Sequence, residues 1–178
     1  MRENKDVRLF FALWPDDEVR VQIAANLDRI NIDRNQCRLL ANSNLHLTLH
    51  FVGNTSFAAM KCLDRQASEF DAEPFDLTLD CSGHFKKPKV FWIGCQTVQQ
   101  ALFHLHRNLG EQISQCAYRL ETRPYSPHMT VARKCKEVPG SIPFGPVLWR
   151  VDRFVLVESK SVSGGVSYGV VESYPLVY

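Results

Sequence analysis

The sequence predicts one α+β domain, and three observations support this prediction. Strand-like apolar or alternating segments recur along the 178 residues, together with three longer segments that carry apolar residues at helical spacing. A tetrapeptide of the form His-apolar-Thr-apolar occurs twice, at 46–49 and 128–131, nearly half the chain apart. No linker or low-complexity segment divides the chain. Two similar halves, or lobes, within residues 1–178 are therefore the predicted organisation.

The first half of the chain alternates strand and helix. Apolar runs closed by proline or glycine predict the strands, and acidic residues followed by apolar residues three and four apart predict the helices. The expected elements are a strand at 7–15, a helix at 16–30, a strand at 44–51, a turn at Gly53-Asn54 and a helix from Thr55 or Ser56.

The second half carries more strands than helices. Period-two alternation and short buried-type runs predict these strands, and clusters of proline and glycine predict loops. The expected elements are strands at 75–81 and 90–95 joined as a hairpin, a helix at 97–116, strands at 126–133 and 154–159, a loop at 137–146, and a last strand after a turn at Gly164-Gly165.

Charge and hydropathy narrow the class of protein. The 21 basic and 19 acidic residues leave a net charge of only +2, which argues against sequence-independent coating of duplex nucleic acid but permits a locally basic pocket. No apolar run approaches the length of roughly 18 residues that a membrane span needs, and "MRENKDVRLF" lacks the features of a secretion signal. We therefore expect a cytoplasmic protein without membrane partners.

The six cysteines give no sign of a metal or redox site. They lie at positions 37, 62, 81, 95, 116 and 135, with no Cys-x-x-Cys pair among them. For a cytoplasmic chain we expect six reduced thiols that serve as small buried hydrophobes.

The repeated tetrapeptide is the main functional signal. Side chains alternate between the faces of a strand, so His46 and Thr48 share one face, while the apolar residues of that strand, Phe51 among them, share the other. The same reasoning puts His128 and Thr130 together. If the two strands lie side by side, their polar faces form one groove with two imidazoles and two hydroxyls.

That set of groups suits phosphoryl transfer without a metal or other cofactor. One imidazole can be protonated and the other neutral near neutral pH, which provides an acid and a base. Threonine hydroxyls can donate hydrogen bonds to an anionic oxygen. A cyclic phosphodiester is an apt substrate because its leaving oxygen stays tethered. Two alternatives remain at this stage: a nucleotide-binding or RNA-binding module without turnover, and a phosphodiesterase that depends on a divalent metal.

These residues resemble a known family. The segments "RLFFALWPDD", "NLHLTLHFVGNT", "VFWIGC", "PHMTVAR" and "FVLVESKSVSGGVSYGVVESYPL" are similar to those of the two-histidine phosphoesterases, and within them to the RNA 2′,3′-cyclic phosphodiesterases, also called 2′-5′ RNA ligases. The resemblance implies a bilobal α+β fold with pseudo-twofold antiparallel sheets around a central cleft. It also implies hydrolysis of terminal 2′,3′-cyclic phosphates on RNA to 2′-phosphates, with weak reverse 2′-5′ ligation by a monomer.

The resemblance also implies roles for individual residues. His46 would be the proton donor to the 3′ leaving oxygen, and His128 would be the proton acceptor from water. Phosphate oxygens would be bound by Thr48 and Thr130. Two further positions, Arg133 at the phosphate and Phe51 as a surface for base stacking, also follow from the resemblance. Strict strand alternation instead puts Arg133 on the face of Met129.

Other polar and aromatic residues receive structural interpretations. His50 falls on the same face as His46 by alternation, and we expect it to make supporting hydrogen bonds. Trp92 and Tyr125 are expected in the core. The loop "HFKKPK" (84–89) is expected to be solvated, with contact to an RNA backbone as the alternative.

Overall fold

The computed structural model describes residues 6–30, 32–136, 142–163 and 165–177. These residues form the α+β fold predicted from the sequence, and all of their strand pairs are antiparallel. In chain order the elements are β1 (Val7–Leu13), α1 (Asp17–Ile30), β2 (Arg38–Leu39), a 3₁₀ turn (Asn42–Asn44), β3 (Leu47–Thr55), α2 (Phe57–Ser68), β4 (Phe75–Leu79), β5 (Cys81–Phe85), β6 (Val90–Gly94), α3 (Gln100–Ser114), β7 (Met129–Arg133), β8 (Val147–Val151), β9 (Arg153–Val162) and β10 (Gly165–Pro175).

The three helices lie where the sequence predicts them. The side chain of Asp16 accepts a hydrogen bond from the amide of Val19 at 2.8 Å, which stabilises the first turn of α1. The hydroxyl of Ser56 accepts one from the amide of Ala59 at 3.3 Å, so Ser56 is the N-cap of α2. The described helices are too short or too polar to cross a membrane.

Eight strands form one sheet in the order β10-β9-β1-β3-β7-β6-β5, with β2 paired to β7. Residues of β1 show how its two faces differ. Leu9, Phe11 and Leu13 belong to the main hydrophobic core, which also contains the buried residues of the three helices. Phe10 and Ala12 belong to a smaller cluster on the opposite face. The helices therefore cover one face of this sheet and leave the other available for a site.

A second sheet corrects the predicted hairpin. Strand β4 pairs with β8, from Phe75 opposite Val151 to Leu79 opposite Val147. The strand paired with β6 is instead β5, with Phe85 opposite Val90. The predicted pairing of 75–81 with 90–95 is therefore wrong. The alternating segment "FDLTL" finds its partner more than 60 residues further along the chain, in a strand that the sequence analysis missed.

The predicted turn at Gly53-Asn54 is also wrong, because β3 continues to Thr55. Gly53 has φ +86°, a left-handed conformation that glycine adopts without strain, and it lies within the ladder opposite Leu9. In the predicted turn at Gly164-Gly165, Gly164 falls outside the described residues. Residues 137–141 of the predicted loop at 137–146 also fall outside the described residues.

Two β-bulges at matching positions reverse the strand alternation beyond each tetrapeptide. In β3, Ala12 pairs with Thr48 and Phe11 pairs with His50, so Leu49 is the extra residue. In β7, Trp92 pairs with Thr130 and Phe91 with Ala132, so Val131 is the extra residue. Each bulge puts two consecutive residues on the buried side: Leu49 with His50, and Val131 with Ala132. The two extra residues are 82 positions apart, as the two tetrapeptides are.

The cysteines are not all reduced thiols, which corrects the sequence prediction. Cys37 is joined to Cys135, and Cys62 is joined to Cys116. Cys81 and Cys95 are free. The paired cysteines are 98 and 54 residues apart, and only the fold brings them together.

Candidate active site

The two tetrapeptides meet in the middle of the large sheet. Leu47 in β3 is paired with Met129 in β7, and both side chains are fully buried in the core beneath the sheet. The flanking histidines and threonines alternate with these residues, so their side chains point to the face away from the helices. The predicted groove with two imidazoles and two hydroxyls follows from this pairing.

His46 sits in an aromatic pocket. Its ring lies 4.8 Å from Phe10 and 5.0 Å edge-to-face from Tyr168, and it stacks on Trp14 at 5.6 Å. Its Nδ1 donates a hydrogen bond of 2.7 Å to the backbone carbonyl of Asn44. Since a carbonyl can only accept, Nδ1 carries the hydrogen, and Nε2 is the ring nitrogen left to exchange protons with a ligand.

His128 is held by the same backbone contact. Its Nδ1 donates to the carbonyl of Ser126 at 2.8 Å, again two residues earlier in the chain. Phe85 of β5 contacts the ring edge-to-face at 4.9 Å, and Trp92 of β6 lies 6.3 Å away. Both motif histidines are therefore fixed in the same tautomer, with Nε2 as the nitrogen that can do chemistry.

Burial strongly affects the acidity of His46. Removal from water lowers its pKa to about 4, although the hydrogen bond to Asn44 acts in the opposite direction. This value already includes smaller lowering effects of the charges of Arg133, Arg20 and His128. Without a bound anion, His46 is thus neutral at neutral pH.

The motif threonines flank the line where the two halves of the sheet meet. Thr48 lies opposite Ala12 and Thr130 opposite Trp92, and both threonines are half-buried. Ala12 is on the face away from the helices, in the cluster with Phe10. The two hydroxyls are therefore on the same face as the histidines, as the strand pattern predicts.

The bulges bring two further predicted residues to this face. Phe51 is 64% exposed, and its ring lies 6.0 Å from Phe10, the residue that contacts His46. Strict alternation assigned Phe51 to the buried face, and that assignment is wrong because of the extra residue Leu49. Arg133 is exposed beyond the extra residue Val131, and its charge affects His46. Alternation alone was wrong here too.

His50 lies on the opposite face from His46, which corrects the sequence analysis. Its Nε2 is 2.7 Å from the backbone carbonyl of His106 in α3, and the two imidazoles stack at 4.2 Å. Tyr125 stacks on the other side of His106 at 3.7 Å and donates a hydrogen bond of 2.9 Å to the carbonyl of Thr48. These three rings connect α3 to the motif strand, so His50 makes hydrogen bonds, as expected, but on the side of α3 and not beside His46.

Several aromatic residues of the site were not identified from the sequence. Phe10 and Trp14 were read only as parts of an apolar strand, and Trp92 was assigned to the core. The available signal was the run "LFFALW", which is apolar on both faces: one face packs on the helices and the other needs a second partner. Tyr168 lies on β10 and reaches His46 only through the order of the sheet.

A buried arginine lies behind the pocket of His46. The guanidinium of Arg20 is 5.2 Å from the ring of Trp14, and it donates to the carbonyls of Pro15 and Asn42. Burial lowers its pKa. The charge of Arg20 contributes to the lowered pKa of His46. Among the described residues, no group of three or more histidine, cysteine or carboxylate side chains is arranged to hold a metal ion.

Comparison with known proteins gives consistent results. A family model described as the 2′-5′ RNA ligase superfamily matches residues 15–162. The RNA 2′,3′-cyclic phosphodiesterase of Escherichia coli K12 is 31% identical over 95% of this chain and 96% of its own length. The protein of the same name from Thermotoga maritima is 27% identical over 92% of each chain.

Solved structures show the same fold. E. coli LigT in its apo form superposes with a TM-score of 0.89 at 30% identity, over 98% of this chain and 99% of LigT. LigT complexed with 3′-AMP superposes with a TM-score of 0.90 over 98% of this chain and 100% of LigT. The α+β fold with antiparallel sheets is thereby confirmed.

Proposed function

Because the chain belongs to the 2′-5′ RNA ligase superfamily, we propose that it is an RNA 2′,3′-cyclic phosphodiesterase that uses His46 and His128 as its acid and base. One observation carries the proposal: both imidazoles are held through Nδ1 by a carbonyl two residues earlier, on neighbouring strands of one sheet. Diagonal neighbours across antiparallel strands are separated by roughly 7–8 Å, which leaves room for one phosphate to be approached from two sides.

In the proposed reaction, Nε2 of His128 accepts a proton from water as its oxygen attacks phosphorus. The bond between phosphorus and O3′ breaks, and Nε2 of His46 donates a proton to O3′. The product is a terminal 2′-phosphate. When a ribose 5′-hydroxyl replaces water, the same steps form a 2′-5′ linkage, which would be the weak ligation activity.

The remaining site residues would bind the substrate. The hydroxyls of Thr48 and Thr130 would donate hydrogen bonds to the non-bridging oxygens, and Arg133 would supply positive charge to the same phosphate. The exposed ring of Phe51, close to the pocket of His46, would stack on the terminal base. None of these steps requires a cofactor.

We also propose that residues 1–178 form one domain with two pseudo-symmetric lobes that acts as a monomer in the cytoplasm. The matched bulges at Leu49 and Val131, beside the paired tetrapeptides, support the pseudo-twofold relation. The natural substrates would be RNA or oligonucleotide ends that carry a 2′,3′-cyclic phosphate.

The low pKa of His46 favours one alternative, in which the two histidines exchange roles. A neutral His46 would accept the proton from water, His128 would donate to the opposite oxygen, and the product would be a 3′-phosphate. The proposed roles instead require that the bound phosphate raises the pKa of His46, because a nearby anion favours the imidazolium.

The isomer of the product separates these two assignments. Nucleoside 2′,3′-cyclic phosphate would be supplied as substrate, and the product identified by phosphorus NMR against both authentic monophosphates. We expect the 2′-phosphate. A 3′-phosphate would reverse the roles of His46 and His128 while leaving the phosphodiesterase activity intact.

Substitution of the histidines tests whether the site catalyses the reaction. We expect His46→Ala and His128→Ala each to lower kcat by about 10²–10⁴-fold while binding of the nucleotide is largely kept. His104→Ala is the matched control, because His104 is exposed on α3 and makes no part of the groove. Full turnover in either groove variant would favour a binding module instead.

Chelation tests the metal-dependent alternative. The proposed mechanism predicts unchanged turnover after treatment with excess EDTA, since both proton transfers and all phosphate contacts come from side chains. Inactivation by EDTA, with recovery on addition of a divalent cation, would point to a metal-dependent phosphodiesterase.

A further inference from the structure

Five exposed lysines lie together beside the candidate active site, and we call them the lysine edge. They are Lys86, Lys87, Lys89, Lys134 and Lys136. The first three belong to the loop between β5 and β6, and the other two follow β7. A backbone hydrogen bond of 3.1 Å from the amide of Cys135 to the carbonyl of Lys89 joins the two segments. The lysine edge is therefore one surface built from two loops.

Both segments lead directly away from the proposed phosphate site. Phe85, which precedes Lys86, contacts the ring of His128 at 4.9 Å. Arg133, which precedes Lys134, acts electrostatically on His46. A ligand that extends from the phosphate site past Arg133 would meet the lysine edge next.

Within the described residues, no lysine of the edge forms an ion pair with a carboxylate. The four ion pairs among the described residues instead involve the cations Arg123, Arg150, Arg153 and Lys160. Five exposed lysines thus lie on two adjoining loops of a chain whose net charge is only +2.

We propose that the lysine edge binds the backbone phosphates of the substrate RNA on the 5′ side of its terminal nucleotide. The proposal rests on the proposed function, since a terminal cyclic phosphate leaves only the 5′ oxygen of that nucleotide to continue the strand. With the terminal base near Phe51, the strand would pass the two histidines and continue over the lysine edge. The surface makes the enzyme favour oligonucleotides over mononucleotides through charge and without reading sequence.

The expected magnitude follows from counterion release. Each phosphate neutralised on a single strand contributes about 0.7 to the slope of log affinity against log salt concentration. If the edge contacts two or three phosphates, we expect an oligonucleotide to have a KM on the order of tenfold lower than a mononucleotide at moderate salt. That advantage should disappear at high salt.

The test compares two substrates and two variants of equal charge change. The substrates are a nucleoside 2′,3′-cyclic phosphate and a hexanucleotide RNA that ends in the same group. The edge variant is Lys86→Gln/Lys87→Gln/Lys89→Asn/Lys134→Asn, with asparagine at the two positions of positive φ, 63° and 55°, because asparagine tolerates that conformation. The control variant removes four exposed helix cations: Arg29→Gln/Lys61→Gln/Arg65→Gln/Arg107→Gln.

We expect the edge variant to raise the KM of the hexanucleotide about tenfold and to flatten its salt dependence, with the mononucleotide reaction unchanged. The control variant should keep the preference of the wild-type protein. Equal effects of the two variants, or no hexanucleotide preference in the wild-type protein, would overturn the proposal while leaving the phosphodiesterase function intact. If the edge variant changed only ligation, the proposal would also be overturned, because the edge would then bind the strand that supplies the 5′-hydroxyl. Failure of the wild-type protein to open either substrate would instead contradict the proposed function.

Discussion

Leu47 in the first motif strand is the antiparallel partner of Met129 in the second. If this register continued by one residue in each direction, His46 would lie opposite Thr130 and Thr48 would lie opposite His128. Each imidazole would then face the hydroxyl of the other tetrapeptide. In the proposed mechanism, an acid or base from one half of the chain would act on a phosphate whose oxygens are held from the other half, so neither tetrapeptide would form a complete site alone.

The threonine hydroxyls should matter more for the chemical step than for stability. We expect Thr48→Val and Thr130→Val each to lower kcat by about 10–10²-fold, because each removes one donor to a phosphate oxygen on which charge develops. The measurement is steady-state hydrolysis of a nucleoside 2′,3′-cyclic phosphate. Thr48→Ser and Thr130→Ser are the controls, and they should retain most of the activity. Equal losses in the valine and serine variants would assign the threonines to packing.

Binding of a phosphate should draw a proton onto His46. The pKa of this residue is about 4 in the free protein, and an anion beside Nε2 raises it. At pH 6 to 7 we therefore expect uptake of up to one proton per nucleotide bound. Titration calorimetry in two buffers of different ionisation enthalpy measures this uptake directly. His46→Ala should abolish it, and uptake that persists in this variant would assign the proton to another group.

The faces of the motif residues could be predicted from the sequence, but the faces beyond them could not. Alternation correctly puts His46 and Thr48 together, since a strand has period two. Leu49 interrupts that period, and nothing in a single sequence distinguishes a bulged leucine from an ordinary buried one. The matching bulge at Val131 could be inferred only once the two segments were aligned. These two extra residues explain why strict alternation puts Phe51 and Arg133 on the buried face, whereas both side chains are exposed in the structure.

Pairings between distant segments also could not be predicted from the sequence. The alternation at 75–79 correctly predicts a strand but does not identify its partner, and the nearest strand-like segment was the wrong choice. Cys37 and Cys135 were also beyond prediction, because their 98-residue separation gives no local signal. The helices were easier to predict, because the apolar spacing and the caps that define each helix lie close together in the sequence.

Acid should destabilise the protein at pH values where most carboxylates are still ionised. His46 has a pKa of about 4 when folded and about 6.5 when unfolded, so between these values the unfolded chain binds the proton and the folded protein does not. The free energy of unfolding should thus fall as pH falls from about 6.5 to about 4, by about 3 kcal/mol from this residue alone. Burial also lowers the pKa of His50 and that of His106, the latter to about 4, so they act in the same direction.

Urea unfolding at a series of pH values measures this effect. His46→Gln should show a smaller loss of stability over the same pH range, because it removes one titrating group. His104→Gln serves as the control, since His104 is exposed. An identical pH profile in His46→Gln and the wild-type protein would contradict the prediction.

The two disulfides should be countable in the purified protein. In denaturant without reductant, a thiol reagent should find two cysteines, Cys81 and Cys95, and after reduction it should find six. Because Cys62 and Cys116 close a chain segment of 54 residues, we expect Cys62→Ser/Cys116→Ser to lower the free energy of unfolding by about 4 kcal/mol. The control repeats both measurements under reducing conditions, where the variant and the wild-type protein should differ little. Six reactive thiols before reduction would contradict the pairing and restore the expectation from the sequence.

Tyr125 should position the motif strand through its hydroxyl. It donates to the carbonyl of Thr48 at 2.9 Å, while its ring stacks on His106. Tyr125→Phe keeps the stack and removes one hydrogen bond, so we expect kcat to fall about fivefold, with KM and the pH profile unchanged. Tyr118→Phe is the matched control, because its hydroxyl lies 3.4 Å from Nδ1 of the His50 side chain and makes no contact with the backbone carbonyl of Thr48. Equal effects on kcat in the two variants would show that the hydroxyl of Tyr125 contributes general stability and does not position Thr48.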